Sequence, residues 1–315
     1  MSALRLVVRR LLASTPLLFL TSALTFVLVS LVPGDPARTI AGQHSTAEQY
    51  QLIRDRLGLD QPLPVQYWNW LTQAFHGDLG SSLFSGEAVT SILSNRLPVS
   101  LSLILASTVV SGLAGVALGL LSARRGGVLM RLVDGLATLG LAAPPFWLAL
   151  LVIEVFAVTL RWFPVTGYVP LEENPGGWAG SLVLPVTSIA LGAVAIIAKQ
   201  TRDSVLDTMN KDFIRVMQAN GFSPRSILYR HILRNAALPI VTVLGVLMVS
   251  LLGAVVFVET VFAMPGIASL TQQATIQHDI PVIQGAVLYI TVFVIVVNLA
   301  VDLAYVRLDP RVRTS

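Results

Sequence analysis

Apolar residues run along this chain in long blocks, and polar residues collect in a few places between them. Six blocks have the length of bilayer-crossing helices, at about 11–32, 99–121, 134–160, 181–198, 238–262 and 282–304. A hydrocarbon core about 30 Å thick requires roughly 20 apolar residues in a helix that satisfies its own backbone groups. The pattern therefore predicts an all-α, polytopic membrane protein with six transmembrane helices. Residues 1–10 form an N-terminal segment, 11–32 the first span and 33–98 a segment of short helices outside the membrane. Residues 99–304 form a five-helix core that includes a polar loop at 199–237, and 305–315 form a tail.

Within the 33–98 segment, Pro33-Gly34-Asp35-Pro36 makes a rigid exit from the first span. Ser45 and Glu48 have the spacing of a capping box before a short helix that buries Leu52, Ile53 and Leu57 and stops at Gly58. A second helix starts at Pro64. Its Tyr67, Trp68, Trp70, Leu71 and Phe75 are amphipathic aromatics and apolar residues suited to a membrane interface, or alternatively to an outside partner. In the third span, Pro144-Pro145 predicts a kink or break, since proline removes a helix hydrogen bond and clashes with the preceding turn.

Glu154 lies in the same span. Its cost near mid-bilayer is about 3 kcal/mol, and ten Leu, Ile, Val and Phe between Phe146 and Leu160 offset about 4 kcal/mol. The span therefore tolerates it. An intramembrane carboxylate lines a path or relays protons, or it is a protonated or hydrogen-bonded group at a helix contact, and no other ionisable group is expected deep in a span to pair with it. Asn298 and Asp302 are four apart on the sixth span and share a face, where they are read as packing residues.

The polar loop has its own pattern. Leu206, Met209, Phe213, Val216 and Met217 recur at three- and four-residue spacing, which predicts one amphipathic helix from Arg202 to Ala219 with Asp207 and Lys211 paired on its polar face. Asn220-Gly221 supplies residues tolerant of positive φ, and Ser223-Pro224 reads as the N-cap and first residue of a second helix. Such a hairpin either holds topology and touches anionic lipid with its seven basic residues, or presents a defined surface to a partner.

Composition narrows the class. With 54% hydrophobic and 12% charged residues, the chain departs from the roughly 45–50% and 25% of a soluble domain. The absence of cysteine excludes disulfides, thiolate catalysis and cysteine metal sites, and four scattered histidines make no metal cluster. A net charge of +4 is read as topological, and nucleic acid is not an expected partner. Arg5, Arg9 and Arg10 before an apolar run resemble a signal peptide, but the run to Val32 is long for one and is read as a retained span. Lys and Arg number 16 on the side of both termini and the 199–237 loop and 5 on the other. This places the N and C termini and the loop in the cytoplasm.

The ordered set of motifs resembles a known family. Residues 215–223, read as Arg215, Val216, Met217, Gln218, Ala219, Asn220, Gly221, Phe222 and Ser223, are similar to the Glu-Ala-Ala...Gly loop of ATP-binding-cassette importer permeases. More narrowly, Arg230-His231-Ile232-Leu233-Arg234-Asn235-Ala236, Leu238-Pro239, Pro33-Gly34-Asp35-Pro36 and Gly77-Asp78-Leu79-Gly80-Ser81-Ser82 resemble the dipeptide, oligopeptide and nickel subfamily. Val258-Glu259-Thr260-Val261-Phe262 with Pro265-Gly266, and Leu308-Asp309-Pro310-Arg311-Val312-Arg313, complete the set.

The resemblance implies type I importer permease architecture in the cytoplasmic membrane of a prokaryote, and a transport subunit rather than an enzyme. It also implies a coupling helix centred on Val216 to Ser223 that seats in an ATPase subunit. The motif's acidic residue is Arg215 here, and its two alanines are Val216 and Met217. The chain has no G-x-x-x-x-G-K-[ST] loop, and neither Lys199 nor Lys211 follows a glycine. ATP and Mg are accordingly expected on two partner ATPase subunits, with no cofactor bound by this chain. The other implied partners are a second homologous permease subunit, an extracytoplasmic solute-binding protein and membrane lipid, with di- or oligopeptides as the leading substrate class and glutathione-like molecules and chelated nickel as the alternatives. A secondary transporter or channel that uses Glu154 for proton coupling is the alternative.

Overall fold

The computed structural model describes residues 3–31, 34–42, 45–125 and 127–308. The helices in order are α1 (Ala3–Leu31), α2 (Pro36–Ala41), α3 (Ala47–Arg56), α4 (Leu63–Phe75), α5 (Val89–Arg125), α6 (Gly127–Ala142) and α7 (Pro145–Val152), which runs into a π-helical stretch at Ile153–Thr159. They continue with α8 (Pro175–Met209), α9 (Asp212–Ala219) and α10 (Pro224–Ser226), a second π-helical stretch at Ile227–Ile232, α11 (Leu233–Val261), α12 (Ile267–Gln277) and α13 (Ile280–Leu308). Among the described residues, five helices are long and apolar enough to cross a membrane, at Val7–Leu31, Val89–Arg125, Pro175–Met209, Pro224–Val261 and Ile280–Leu308. A sixth span results if the bent pair Met130–Gly140 and Pro145–Thr159 counts as one.

The prolines show why one span breaks and others do not. Pro16, Pro98, Pro185 and Pro239 each sit inside a continuing helix. Pro144, by contrast, precedes another proline, and the residue before a proline is pushed out of the α region. Its ψ of 138° is extended, Pro145 opens α7, and the two halves meet at 108°.

The chain divides into two units. One comprises residues 8–100 and 265–296. Its core joins Leu79, Val89, Leu93, Ile267, Leu270, Val282 and Ala286. Asp35 caps α2 by accepting from the amides of Ala37 at 2.9 Å and Arg38 at 3.3 Å, and takes the Tyr50 hydroxyl at 2.5 Å. Burial opposes ionisation of Asp35, but these hydrogen bonds and the charge of Arg54 hold its carboxyl below the usual range.

The capping box of α3 is one residue later than the sequence predicts. It uses Thr46 and Gln49, because the Ser45 hydroxyl instead donates to the Gly42 carbonyl at 2.9 Å. Leu52 is exposed rather than buried, while Ile53 and Leu57 are half-buried. The helix does stop at Gly58, whose φ is 65°. On α4 the aromatics divide. Tyr67 bonds Ser22 at 2.9 Å and stacks on Trp70, so this face packs on α1; Phe75 also meets Phe19 of α1, at 6.1 Å between ring centres, though it is largely exposed, and Trp68 is exposed as well.

In the same unit, buried Asp279 accepts from the Ser82 hydroxyl at 2.5 Å and the Leu83 amide at 3.2 Å. Ser82 in turn accepts from the amides of Phe84 and Ser85. The Gly77–Ser82 motif is thus tied across 197 residues of sequence to the loop between α12 and α13.

The other unit comprises 1–7, 101–264 and 297–315. Its central helix is α8, with 18 buried residues, and α6, α7 and α11 pack on it. A Cβ added at Gly140 of α6 would lie 2.8 Å from the Cα of Gly192 of α8. The two backbones cross there as closely as small residues permit, a common contact between membrane helices. An apolar cavity of about 470 Å³ beside this crossing is lined by residues that include Leu136, Gly140, Leu148 and Leu191.

Candidate coupling surface

At about 1.5 Å per residue, the 35 residues of α8 extend about 52 Å, well beyond the roughly 30 Å of a hydrocarbon core. The polar loop predicted at 199–237 therefore does not begin as a separate element. Its first eleven residues, 199–209, continue the span as one helix.

The single helix predicted from Arg202 to Ala219 is corrected: it breaks at Asn210, which closes α8, and Lys211, whose backbone is extended (φ −74°, ψ 144°). Asp212 then opens α9, where an acidic residue in the first turn favours a helix start. Asp207 and Lys211 do not share a helix, and Leu206, Met209, Phe213, Val216 and Met217 do not form one stripe.

What replaces that stripe is a short helix pinned on one side and bare on the other. Ile214 is buried with Val205 of α8, Ile227, Leu228 and Ile232 of the π-helical stretch, and Ala236 and Ile240 of α11. Met217 lies half-buried against the same cluster. On the opposite side Phe213, Val216 and Phe222 are exposed, Val216 by 58%. Around them Gln218, Ala219 and Asn220 are exposed as well. Arg215 approaches Asp212 at 3.8 Å, but both are open to solvent and this pair adds little.

The turn after α9 falls at Gly221 and Ser223-Pro224, where the sequence reading puts it. Gly221 has φ 77°; its amide donates to Gln218 and that of Phe222 to Met217, the two bonds of a Schellman motif. Asn220 stays at negative φ, so the glycine alone supplies the left-handed residue. Ser223 accepts from the Ser226 amide at 3.3 Å and Pro224 opens the next helix. Phe222 also meets His231 edge-on at 6.4 Å. The arrangement holds an eight-residue helix, too short to persist alone, with apolar and aromatic side chains facing outward.

Glu154 stands apart from this surface. It lies on the first π-helical stretch, exposed, and no hydrogen bond or ion pair reaches it among the described residues. The reading of Glu154 as a helix contact is thus not met within this chain. The sequence reading did not single out Glu259 as a buried charge; it is fully buried near the end of α11. The sequence reading also missed Arg202, whose side chain is only 4% exposed and meets Asp134 and Asp203. The available signal was Asp134 on the neighbouring span, at the same end by charge counting.

Residues 115–314 match the family model described as binding-protein-dependent transport system inner membrane component, and residues 3–104 match the model of its N-terminal part. A relative from Brucella abortus (strain 2308), named as a peptide transport system permease protein, is 40% identical over 309 residues and covers 98% of both chains. The glutathione transport system permease protein GsiC of Escherichia coli (strain K12) is 36% identical over 311 residues, covering 98% of this chain and 99% of that one. A solved chain of the MetNI methionine ABC transporter aligns at 18% identity with a TM-score of 0.56, over 69% of this chain and 96% of that chain. This last likeness bears on the fold alone.

Proposed function

The chain belongs to the inner membrane components of binding-protein-dependent transport systems, and from that premise we propose that α9 and the Gly221 turn are where ATPase closure enters the membrane. The protein is a multi-pass permease subunit of such an importer in a prokaryotic plasma membrane, a transport subunit that works with ATPase and substrate-binding partners. In the finer reading, this chain pairs with a second homologous permease to enclose the path. Two ATPase subunits hold the ATP and Mg, and an extracytoplasmic solute-binding protein delivers di- or oligopeptides. The names of the Brucella and Escherichia coli relatives favour peptide-like cargo.

The observation that carries the docking reading is the outward apolar surface of Phe213 and Val216 on α9 and of Phe222 just after its turn, with the other side of the helix locked by Ile214. An exposed aromatic and aliphatic cluster rimmed by charge has the make-up of a binding hot spot. Arg215 to Ser223 form the contact, on the side that the excess of Lys and Arg assigns to the cytoplasm. ATPase closure then shifts the permease between inward-open and outward-open states through a contact that differs between the two.

The test is co-purification of the solubilised complex. Val216→Asp and Phe222→Ala are expected to weaken ATPase retention at least about tenfold, the effect of losing about 1.4 kcal/mol. Gly221→Pro, which cannot adopt φ 77°, is expected to abolish uptake. Full retention and uptake in all three variants would remove the docking surface from this loop.

A further inference from the structure

We infer that Arg202 is a positioning residue that clasps α8 to α6, so that displacement of the coupling surface is carried into the bent third span. The inference rests on the docking reading and adds the route by which the movement leaves α8.

The residues form a compact cluster of two cations and two carboxylates. The Arg202 guanidinium donates to Asp203 at 2.8 and 2.9 Å, and to the Met130 carbonyl of α6 at 3.3 Å. It also meets the Asp134 carboxylate of α6 at 2.9 Å. Lys199 reaches Asp203 at 3.2 Å and Asp134 at 3.6 Å. Arg202 is buried, whereas both carboxylates are about 40% exposed. The Asp134 oxygen facing Arg202 takes no aligned hydrogen bond despite the short approach. The grip of Arg202 on α6 thus combines its ion pair with Asp134 and its hydrogen bond to the Met130 carbonyl, while its bonds to Asp203 stay within α8. A planar, five-donor fork suits a group that must hold one helix while gripping another, and lysine would not replace it.

The position of the cluster gives it a mechanical role. Along α8, Arg202 sits between the close crossing at Gly192 and the end of the helix at Met209, where the chain turns into α9. Along α6, Asp134 precedes Gly140 and then the break at Pro144. The two helices run antiparallel and are fastened at two levels, by glycine contact and by charge. With the upper contact alone, α8 could pivot on Gly140 without moving the end of α6. With both, α6 and the 108° bend that follows it must move with α8.

The test uses the whole complex, with ATPase subunits and liganded solute-binding protein, in proteoliposomes. Arg202→Gln and Asp134→Asn are each expected to leave the complex assembled and hydrolysing ATP, while solute transported per ATP falls at least tenfold. Because the native chain has no cysteine, Asp134→Cys with Arg202→Cys can be bridged by a short reversible thiol crosslinker. Coupling is expected to be lost in the unbridged pair, to return on crosslinking and to be lost again on reduction.

Wild-type stoichiometry in either single variant would overturn the clasp, as would a bridged pair that stays uncoupled. Complexes that fall apart in every variant would make the cluster a folding contact and also overturn it. Failure of the docking reading is separately visible, as a wild-type permease that never retains its ATPase, and it would sink both.

Discussion

Replacing Ile214 with alanine should unfasten α9 without unfolding the permease. Ile214 is 1% exposed and is the residue of α9 fully buried in the cluster of Val205, Ile227, Ile232 and Ala236. Truncating a buried isoleucine to alanine costs about 2–5 kcal/mol, through lost burial and the cavity left behind. An eight-residue helix has little intrinsic stability to offset this, since isolated helices below about 12 residues are marginal. A cost of about 3 kcal/mol would raise the population of the detached helix roughly 150-fold.

Hydrogen exchange with mass spectrometry on the detergent-solubilised permease reads this directly. Amides of 212–222 should exchange at least about thirtyfold faster in Ile214→Ala, while those of buried α8 residues such as Val205 should not change. Val216→Ala is the control, because an exposed side chain 58% accessible contributes little to folding. A change below about threefold at 212–222 in Ile214→Ala, or an equal change in Val216→Ala, would refute the anchoring argument.

Two further outcomes follow from the other unit. Asp279 and Ser82 should show a double-mutant coupling of about 1.5–3 kcal/mol in denaturant unfolding, because their bond joins a hydroxyl to a buried carboxylate; a coupling under about 0.5 kcal/mol would remove the tie. Asp35 has a depressed native value, so its contribution is present above the ordinary aspartate value of about 3.9 and fades as pH falls through the native one. Tryptophan fluorescence of acid unfolding should therefore show Asp35→Asn with a flatter pH dependence below about pH 4 than the unaltered chain, and identical acid profiles would contradict it.

The parts of the loop that were legible in the sequence are those governed by local chemistry. Gly221 is required by the left-handed residue of a Schellman turn, and Ser223-Pro224 by a helix start, whatever surrounds them. The break at Pro144 followed equally from two adjacent prolines. The parts that were not legible depend on competition between neighbours. Periodicity ran straight through Asn210 because Leu206, Met209 and Phe213 keep a helical interval even where the helix has ended. The capping box slipped by one residue because Ser45 found the Gly42 carbonyl first. Burial of Arg202, Glu259 and Asp279 is a property of facing helices and loops, and no spacing along one segment encodes it. For the candidate site, the sequence located the turn, while the structure supplied which face of α9 is locked and which is bare.

The uninterrupted length of α8 has a further consequence. From Pro185, the proline in its interior, to Met209 the helix is about 36 Å long. A tilt of about 5° about that proline would sweep its far end through about 3 Å, more than half the 5.4 Å pitch of a helix. The coupling surface is thus mounted at the tip of a lever arm. A modest closing stroke in the partner demands only a slight rotation near the fulcrum, and force gained there is traded for travel at the tip.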